Sequence, residues 1–141
     1  MVEGSETPRF VFVYGTLMKG FEEGWQAKVG ARLMGTGRIR ARLYDLGEYP
    51  GAVPSDSNPD DYIVGELYEL RAPERAFQLL DQYEEYSPAE ADNSLFIRKI
   101  APVRLDDGRR ETAWVYFYNR PLRRARLIPT GDYREKVPGR A

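Results

Sequence analysis

The sequence predicts an α+β fold, a small closed or nearly closed β-barrel with helices packed outside it. Five or six segments have the apolar or alternating pattern of strands, whereas one segment has a clear helical pattern. Regular helices do not separate these strands, which argues against a doubly wound parallel sheet. Residues 111–118 are apolar on both faces, as expected for a strand buried on both sides in a small barrel.

Strand signals dominate the first half of the chain. Residues 9–14 (RFVFVY) combine β-branched and aromatic side chains and predict a buried strand. Residues 38–46 alternate charged and apolar side chains and predict one half-buried strand. Residues 46–54 are rich in glycine and proline and predict a loop, which residues 55–61 continue as a polar turn. A short helical stripe is expected at Phe21, Trp25 and Val29.

The second half contains the principal helix and a hairpin. Residues 62–70 predict another strand, and Pro73 fits the first turn of a helix that runs to about residue 86. Residues 93–105 and 111–118 predict two strands on either side of an Asp-Asp-Gly-Arg turn, which is a hairpin signal.

The length of 141 residues fits a single domain with a substantial core. We expect that domain to span residues 9–132, because no repeat and no long linker divides it. The polar residues 1–8 predict a flexible N-terminus, and residues 133–141 predict a mobile C-terminal tail.

Composition excludes several classes of chemistry. The chain has no Cys and no His, which rules out disulfides, thiolate sites, His-based zinc sites and Ser-His-Asp hydrolysis. Residues 56–60 imitate the start of an EF-hand loop, but Asp61 stands where Gly is needed and Leu67 where Glu is needed. We therefore expect no metal site.

Charge and hydropathy give no sign of a macromolecular partner. Lys and Arg total 21 against 22 for Asp and Glu, so no net field favours nucleic acid, and the basic residues 120–126 fit a solvated face. No apolar run approaches the roughly 20 residues that span a bilayer, and no signal-peptide core begins the chain. We expect a cytoplasmic protein with no nucleic-acid or membrane partner and leave its oligomeric state open.

Glu84 is the candidate acid–base residue. On the predicted helix it follows Leu80 by four residues and Phe77 by seven, which places it on the apolar face, whereas Glu85 lies on the polar side with Asp81. Desolvation would raise its pKa towards the working pH. The structural alternative is a helix-end glutamate that pairs with Arg98.

A candidate anion-binding turn follows the first strand. Tyr14-Gly15-Thr16-Leu17 places a glycine at a strand end, where successive backbone N–H groups can hold an anion. The alternative is an ordinary strand-end turn, in which Gly15 would tolerate a positive φ and Thr16 could bond local backbone. Tyr116 and Tyr118 are further candidates for a cavity, although both fit core positions equally well.

Seven short motifs in one order give the chain a family resemblance. They are FVYGTL at residues 12–17, LYDLGEYPG at 43–51, VGELY at 64–68, LDQYE at 80–84, IR at 97–98, AWVY at 113–116 and TGDY at 130–133. Together they cover most of residues 10–133. The chain resembles the gamma-glutamylcyclotransferase-like superfamily, especially its small AIG2-like and gamma-glutamylamine cyclotransferase members.

The resemblance implies a fold, an activity and a set of site residues. The fold is a small mixed β-barrel with flanking α-helices. The activity is release of 5-oxoproline and a free amine from a gamma-glutamyl amine or peptide, by intramolecular attack of the substrate's α-amine on its γ-carbonyl. Glu84 would be the general acid–base, and Tyr116 would line the pocket. The residues Tyr14, Gly15, Thr16 and Leu17 would form the substrate loop.

This chemistry needs no enzyme nucleophile, metal or organic cofactor, so we expect none. Two positions depart from the family's usual pattern: Glu85 stands where Gly usually follows the catalytic Glu, and Phe96 where Tyr often stands two residues before the Arg. Two alternatives remain open, a non-catalytic module that binds a small metabolite in the same pocket and a barrel whose motifs serve folding.

Overall fold

The structure is a computed structural model that describes residues 8–15, 24–47, 49–55, 58–123 and 125–133. Apart from Pro8 and Tyr133, the terminal segments predicted as flexible lie outside the described residues, as does Phe21 of the predicted helical stripe. Tyr133 is buried in the core.

Eight strands and two α-helices occur in the described part of the chain. The strands are β1 (Phe10–Val13), β2 (Ala31–Ile39), β3 (Ala41–Asp45), β4 (Pro50–Pro54), β5 (Ile63–Leu70), β6 (Phe96–Leu105), β7 (Arg110–Tyr118) and β8 (Arg126–Leu127). The helices are α1 (Trp25–Val29) and α2 (Pro73–Tyr83), and a 3-10 segment spans Pro88–Asn93.

Five strands close into a barrel in the order β1-β5-β2-β6-β7. The closing pair, β7 with β1, runs parallel through Val11 and Trp114, whereas the other pairs are antiparallel. The barrel is therefore mixed, and the predicted fold class is confirmed. A second sheet in the order β4-β3-β8 lies beside it, with β4 packed against β7.

The alternation along the barrel strands places one set of side chains inside. Phe12, Leu67 and Val115 share one face of the sheet and are buried on three different strands. At roughly 25 cal/mol per Å² of apolar surface removed from water, residues of this kind supply most of the driving force for closing the barrel. Helix α2 adds Ala76, Phe77 and Leu80 from outside.

The prediction of one strand over residues 38–46 is wrong. The backbone bends at Arg40 and divides the segment between β2 in the barrel and β3 in the second sheet. Strand β2 also begins earlier than predicted, at Ala31, and contains Gly35 and Gly37, which weaken a strand signal. Strand β2 is held extended because it pairs with β5 along its whole length. The pairing register shifts once, between Leu33 and Gly35.

The predicted loop over residues 46–54 contains strand β4, so that prediction is also wrong. The strand begins and ends with proline, at Pro50 and Pro54. It forms the edge of the three-stranded sheet, where proline is tolerated because its missing N–H faces away from the partner strand.

Two local predictions are confirmed. Helix α2 has Pro73 at its first position, as expected from the proline rule. The hairpin between β6 and β7 closes through a hydrogen bond from the Leu105 N–H to the Arg109 carbonyl, with Gly108 at a φ of 96°. Neither helix is long and apolar enough to cross a membrane, as far as the described residues extend.

A glycine pair permits the close approach of strands in the barrel. Gly37 and Gly65 lie opposite each other on β2 and β5. A Cβ at residue 65 would overlap the Val13 carbonyl oxygen and lie 2.6 Å from the Phe12 ring. Residue 65 must therefore be glycine, because no side chain fits at this position.

We expect Gly65→Ala to lower the free energy of unfolding by about 1–3 kcal/mol, because the added methyl must displace backbone. Urea denaturation measures the change. The exposed substitution Thr112→Ala in β7 is the control and should change stability by less than about 0.5 kcal/mol. Equal effects of the two substitutions would contradict the packing argument.

Candidate active site

A cavity of about 300 Å³ opens at the end of the barrel where β1 and β7 finish and β6 begins. Its walls come from five places in the chain. The lining residues are Phe12, Val13, Tyr14, Gly15, Tyr49, Pro50, Tyr83, Glu84, Glu85, Leu95, Phe96 and Tyr116. The size and the mainly aromatic lining suit a small organic molecule.

The end of α2 presents carboxylates to this cavity. The N–H of Tyr86 bonds to the Asp81 carbonyl at 2.8 Å, and the N–H of Glu85 to the Gln82 carbonyl at 3.2 Å. These two bonds form a Schellman motif, in which Glu84 is the last half-helical residue and Glu85 adopts a left-handed φ of 55°. The helix thus ends at Tyr83, three residues before the predicted end, and leaves Glu84 against the cavity.

Glu84 is a cavity-lining carboxyl group with a strongly raised pKa. Burial of its carboxyl group, and then the negative charge of Asp81, raise the pKa of Glu84 to about 8. The negative end of the helix dipole disfavours an anion in the same direction. Glu84 therefore exchanges a proton near neutral pH, which is the property that a general acid–base needs.

Asp81 anchors the helix to the barrel. Although predicted on the polar side of α2, it is buried and 9% exposed. Its carboxylate accepts two hydrogen bonds from Arg98, at 2.9 and 3.2 Å, and one from the Tyr116 hydroxyl at 2.5 Å. The prediction failed because these partners come from β6 and β7. The spacing did contain a signal, since residues 77, 80, 81 and 84 follow the i, i+3, i+4, i+7 pattern of a buried helix face.

Arg98 forms its ion pair with Asp81, so the structural alternative, in which Glu84 pairs with Arg98, is wrong. The guanidinium group also lies over two aromatic rings, 4.2 Å from the centre of Phe77 and 4.5 Å from that of Trp114. Stacking and a bidentate ion pair fix its plane together. Among the described residues, no side chain forms an ion pair with the Glu84 carboxylate.

Tyr14 lines the cavity and braces it. Its hydroxyl donates to the Tyr116 carbonyl oxygen at 2.5 Å and accepts from the Ala52 N–H at 3.2 Å. Burial, and next the charge of Glu84, raise the pKa of Tyr14 well above its ordinary value. The neutral hydroxyl thus joins β1, β4 and β7 beside the cavity.

Gly15 lines the cavity at the predicted turn. It does not have a positive φ. The constraint is space: a Cβ at residue 15 would lie 2.7 Å from Cγ of Pro50, which is itself a wall of the cavity. Thr16 and Leu17 lie outside the described residues, so the substrate loop stays a prediction.

Tyr116 also lines the cavity, and its hydroxyl points to Asp81 rather than acting as a free donor. Burial, and next the hydrogen bond to the Asp81 carboxylate, raise the pKa of Tyr116 above its ordinary value. Its partner candidate, Tyr118, is half-buried and packs edge-on against Phe96, with ring centres 5.6 Å apart.

The structure brings together Tyr14, Gly15, Glu84 and Tyr116, the four predicted site residues that it describes. It adds residues that the sequence did not indicate, chiefly Tyr49 and Pro50 at the start of β4 and Glu85 after α2. Groups of three or more acidic side chains placed to hold a metal ion do not occur among the described residues.

Comparison with known proteins gives matches to a single family. A family model described as "Gamma-glutamyl cyclotransferase, AIG2-like" matches residues 11–135. A Methanocaldococcus jannaschii protein, named provisionally as a gamma-glutamylcyclotransferase, is 30% identical over 128 residues, which are 89% of this chain and 96% of that protein. The gamma-glutamylcyclotransferase family protein YtfP of Escherichia coli K12 gives the same identity and coverage.

Solved structures show the same fold. The solution structure of E. coli YtfP superposes with a TM-score of 0.62 at 27% identity, over 91% of this chain and 98% of that one. The crystal structure of YkqA from Bacillus subtilis gives a TM-score of 0.68 at 27% identity over 92% of this chain. The match covers 40% of the YkqA chain, so this protein corresponds to part of YkqA.

The raised pKa of Glu84 makes stability depend on pH. The ordinary value is 4.5 and the folded value about 8, so between these values the folded protein binds more protons than the unfolded chain. Stability therefore falls as pH rises across this window. Glu84→Gln removes the titration and should gain stability over the wild type by up to about 1.4 kcal/mol per pH unit.

Urea denaturation of both proteins at pH 5, 6, 7 and 8 measures this difference. Gln78→Ala, an exposed substitution on α2 that changes no charge, is the control, and its difference from the wild type should not change with pH. A constant difference between Glu84→Gln and the wild type would contradict the raised pKa.

Proposed function

The chain belongs to the gamma-glutamyl cyclotransferase, AIG2-like family, and we propose that it releases 5-oxoproline and a free amine from a gamma-glutamyl amine. The observation that carries this proposal is the position of Glu84. It is a carboxyl group with a pKa of about 8, on the wall of a cavity of about 300 Å³. The described lining contains no Lys or Arg that would hold this carboxyl permanently ionised.

The proposed reaction uses Glu84 twice. The carboxylate takes a proton from the substrate's α-ammonium group, and the free amine then attacks the γ-carbonyl carbon. A new C–N bond closes the five-membered ring while the original amide C–N bond breaks. Glu84 returns this proton to the leaving nitrogen and then transfers the second surplus proton of the ring nitrogen to the departing amine, which leaves as an ammonium ion. Atoms and charge therefore balance without a further reactant. The similar pKa values of Glu84 and the α-ammonium group keep the first transfer close to thermoneutral, and the more basic leaving amine favours the second.

Substrate binding is proposed to combine backbone and aromatic contacts. The α-carboxylate would be held by backbone N–H groups of Gly15 and of the predicted loop residues Thr16 and Leu17. The glutamyl carbon chain would lie against the wall formed by the rings of Tyr49 and Phe96, which pack on each other with their centres 5.9 Å apart. Such walls would favour a folded conformer, and ring closure gains most of its rate from holding that conformer.

Tyr116 and Asp81 are proposed as positioning residues. The Tyr116 ring forms part of the wall while its hydroxyl is bonded to Asp81. Asp81 holds the last turn of α2 on the barrel and acts through its charge on the pKa of Glu84. Because Arg98 and the Tyr116 hydroxyl already bind Asp81, the Asp81 carboxylate would act on Glu84 without touching the substrate, whereas the Tyr116 ring would contact the substrate as part of the wall.

The test is a mass-spectrometric screen for 5-oxoproline with gamma-glutamyl alkylamines, gamma-glutamyl dipeptides and glutathione. Release by the wild type establishes the reaction and identifies the amine. Tight binding of these compounds without release would instead favour the non-catalytic binding module.

In that screen we expect Glu84→Gln to reduce kcat by about 100- to 10,000-fold, because the amide cannot accept the ammonium proton. Gln78→Ala is the matched control on the same helix and should retain the wild-type rate. Urea denaturation verifies that both variants are folded. A folded Glu84→Gln protein with a wild-type rate would remove Glu84 from the mechanism.

The pH dependence of kcat/KM should be bell-shaped. The rate rises with pH as Glu84 ionises, with a midpoint near 8, and falls where the substrate's α-ammonium loses its proton. Asp81→Asn removes the charge that helps to raise the pKa of Glu84, so the rising limb should move to lower pH. A rising limb that stays in place in the folded variant would show that another group carries it.

A further inference from the structure

Glu85 is the second carboxylate on the cavity wall and has no part in the proposed proton transfer. It lines the cavity beside Glu84 and also borders a neighbouring polar depression that includes Ser87 and Glu90. It is therefore the one lining residue shared by both hollows, as far as the described residues show. If the γ-carbonyl of a substrate lies near Glu84, its leaving amine would lie within reach of the Glu85 side chain.

The backbone at Glu85 is unfavourable for a glutamate. Its φ of 55° is left-handed, and the position that it occupies in the Schellman motif is usually glycine, which has no Cβ to crowd the backbone. The two hydrogen bonds of the motif fix this conformation. A glutamate at a position where glycine would fold better points to a role outside folding.

The surroundings leave the Glu85 charge available to a ligand. Within the described residues, no Lys or Arg lines either hollow, and none forms an ion pair with Glu85. The nearby walls are aromatic, with Tyr49, Tyr83 and Phe96 in the same cavity. A carboxylate beside aromatic faces is an environment that attracts an alkylammonium group and repels a carboxylate.

We propose that Glu85 forms the leaving-group subsite and selects gamma-glutamyl amines whose amine part carries a second, protonated amino group. This inference rests on the proposed function, since it places the leaving amine beside Glu84. The substrate class is thus a mono-gamma-glutamyl diamine. Leaving groups that end in a carboxylate, as amino acids and peptides do, are disfavoured by repulsion.

A matched series of three substrates tests the subsite. The gamma-glutamyl amides of butane-1,4-diamine, butylamine and 4-aminobutyrate have similar leaving groups that end in –NH3+, –CH3 and –COO−. We expect kcat/KM to fall in that order, by about 3- to 5-fold per step, as for partly exposed ion pairs. The differences should shrink in 0.5 M salt because exposed charges are screened.

Two variants assign the preference to residue 85. Glu85→Gln keeps the shape and removes the charge, and Glu85→Gly also removes the left-handed strain, so it should be more stable than the wild type in urea. In both, the ratio of kcat/KM between diamine and butylamine substrates should fall to about 1. Glu74→Gln removes a charge from the other end of α2 and should keep the wild-type ratio.

The outcomes separate this inference from the proposed function. Turnover of all three substrates at equal kcat/KM overturns the subsite and leaves the cyclotransferase activity intact. If none is turned over, an NMR titration of the wild type and Glu85→Gln with butane-1,4-diamine and butylamine decides. Shifts around residue 85 that need both the diamine and the Glu85 charge support the subsite, and their absence overturns it.

Discussion

The buried carboxylate of Asp81 is the interaction on which the site depends. A carboxylate at 9% exposure is costly to bury unless its oxygens are paired and hydrogen-bonded. Arg98 and Tyr116 supply three hydrogen bonds, and each comes from a different barrel strand. The last turn of α2 is therefore fixed to β6 and β7 at one point. That attachment sets where the helix ends and hence which residues face the cavity.

The attachment of Asp81 to the barrel gives Asp81 and Glu84 different environments, although they are only three residues apart. Asp81 takes the available arginine, which also lies against Phe77 and Trp114. Glu84 is left with burial and with the charge of Asp81, and both raise its pKa. A carboxyl group whose pKa is raised by burial and a neighbouring charge is typical of an acid–base site. A pairing of Arg98 with Glu84 would have held the glutamate as a fixed anion.

Sequence patterns predicted the parts of the fold that local physics decides. Strand β1, the start of α2 at Pro73 and the Gly108 hairpin follow from periodicity, proline geometry and turn chemistry. Predictions failed where a partner outside the segment decides. Strand β4 is held by β3, β2 is held by β5, and Asp81 is buried because partners about 17 and 35 residues away meet it.

The candidate site shows the same division. Helical spacing selected Glu84 correctly as the residue of α2 that faces inwards, because Glu84 shares a face with Phe77 and Leu80. The same spacing placed Glu85 on the solvent side, which ignores the end of the helix. Once the chain leaves α2 through a left-handed residue, helical periodicity no longer applies, and Glu85 also reaches the cavity.

Two successive residues at this helix end are poor choices for folding alone. An anion at Glu84 opposes the helix dipole and is desolvated, and the left-handed position of Glu85 favours glycine. The Schellman hydrogen bonds and the Asp81 attachment on either side hold the segment in place nevertheless. Residues 84 and 85 thus lower the stability of the fold at the cavity, and the neighbouring hydrogen bonds and ion pair offset this loss. This distribution is expected of a site selected for chemistry. The strain at residue 85 is thus an argument for function that is independent of the resemblance to known cyclotransferases.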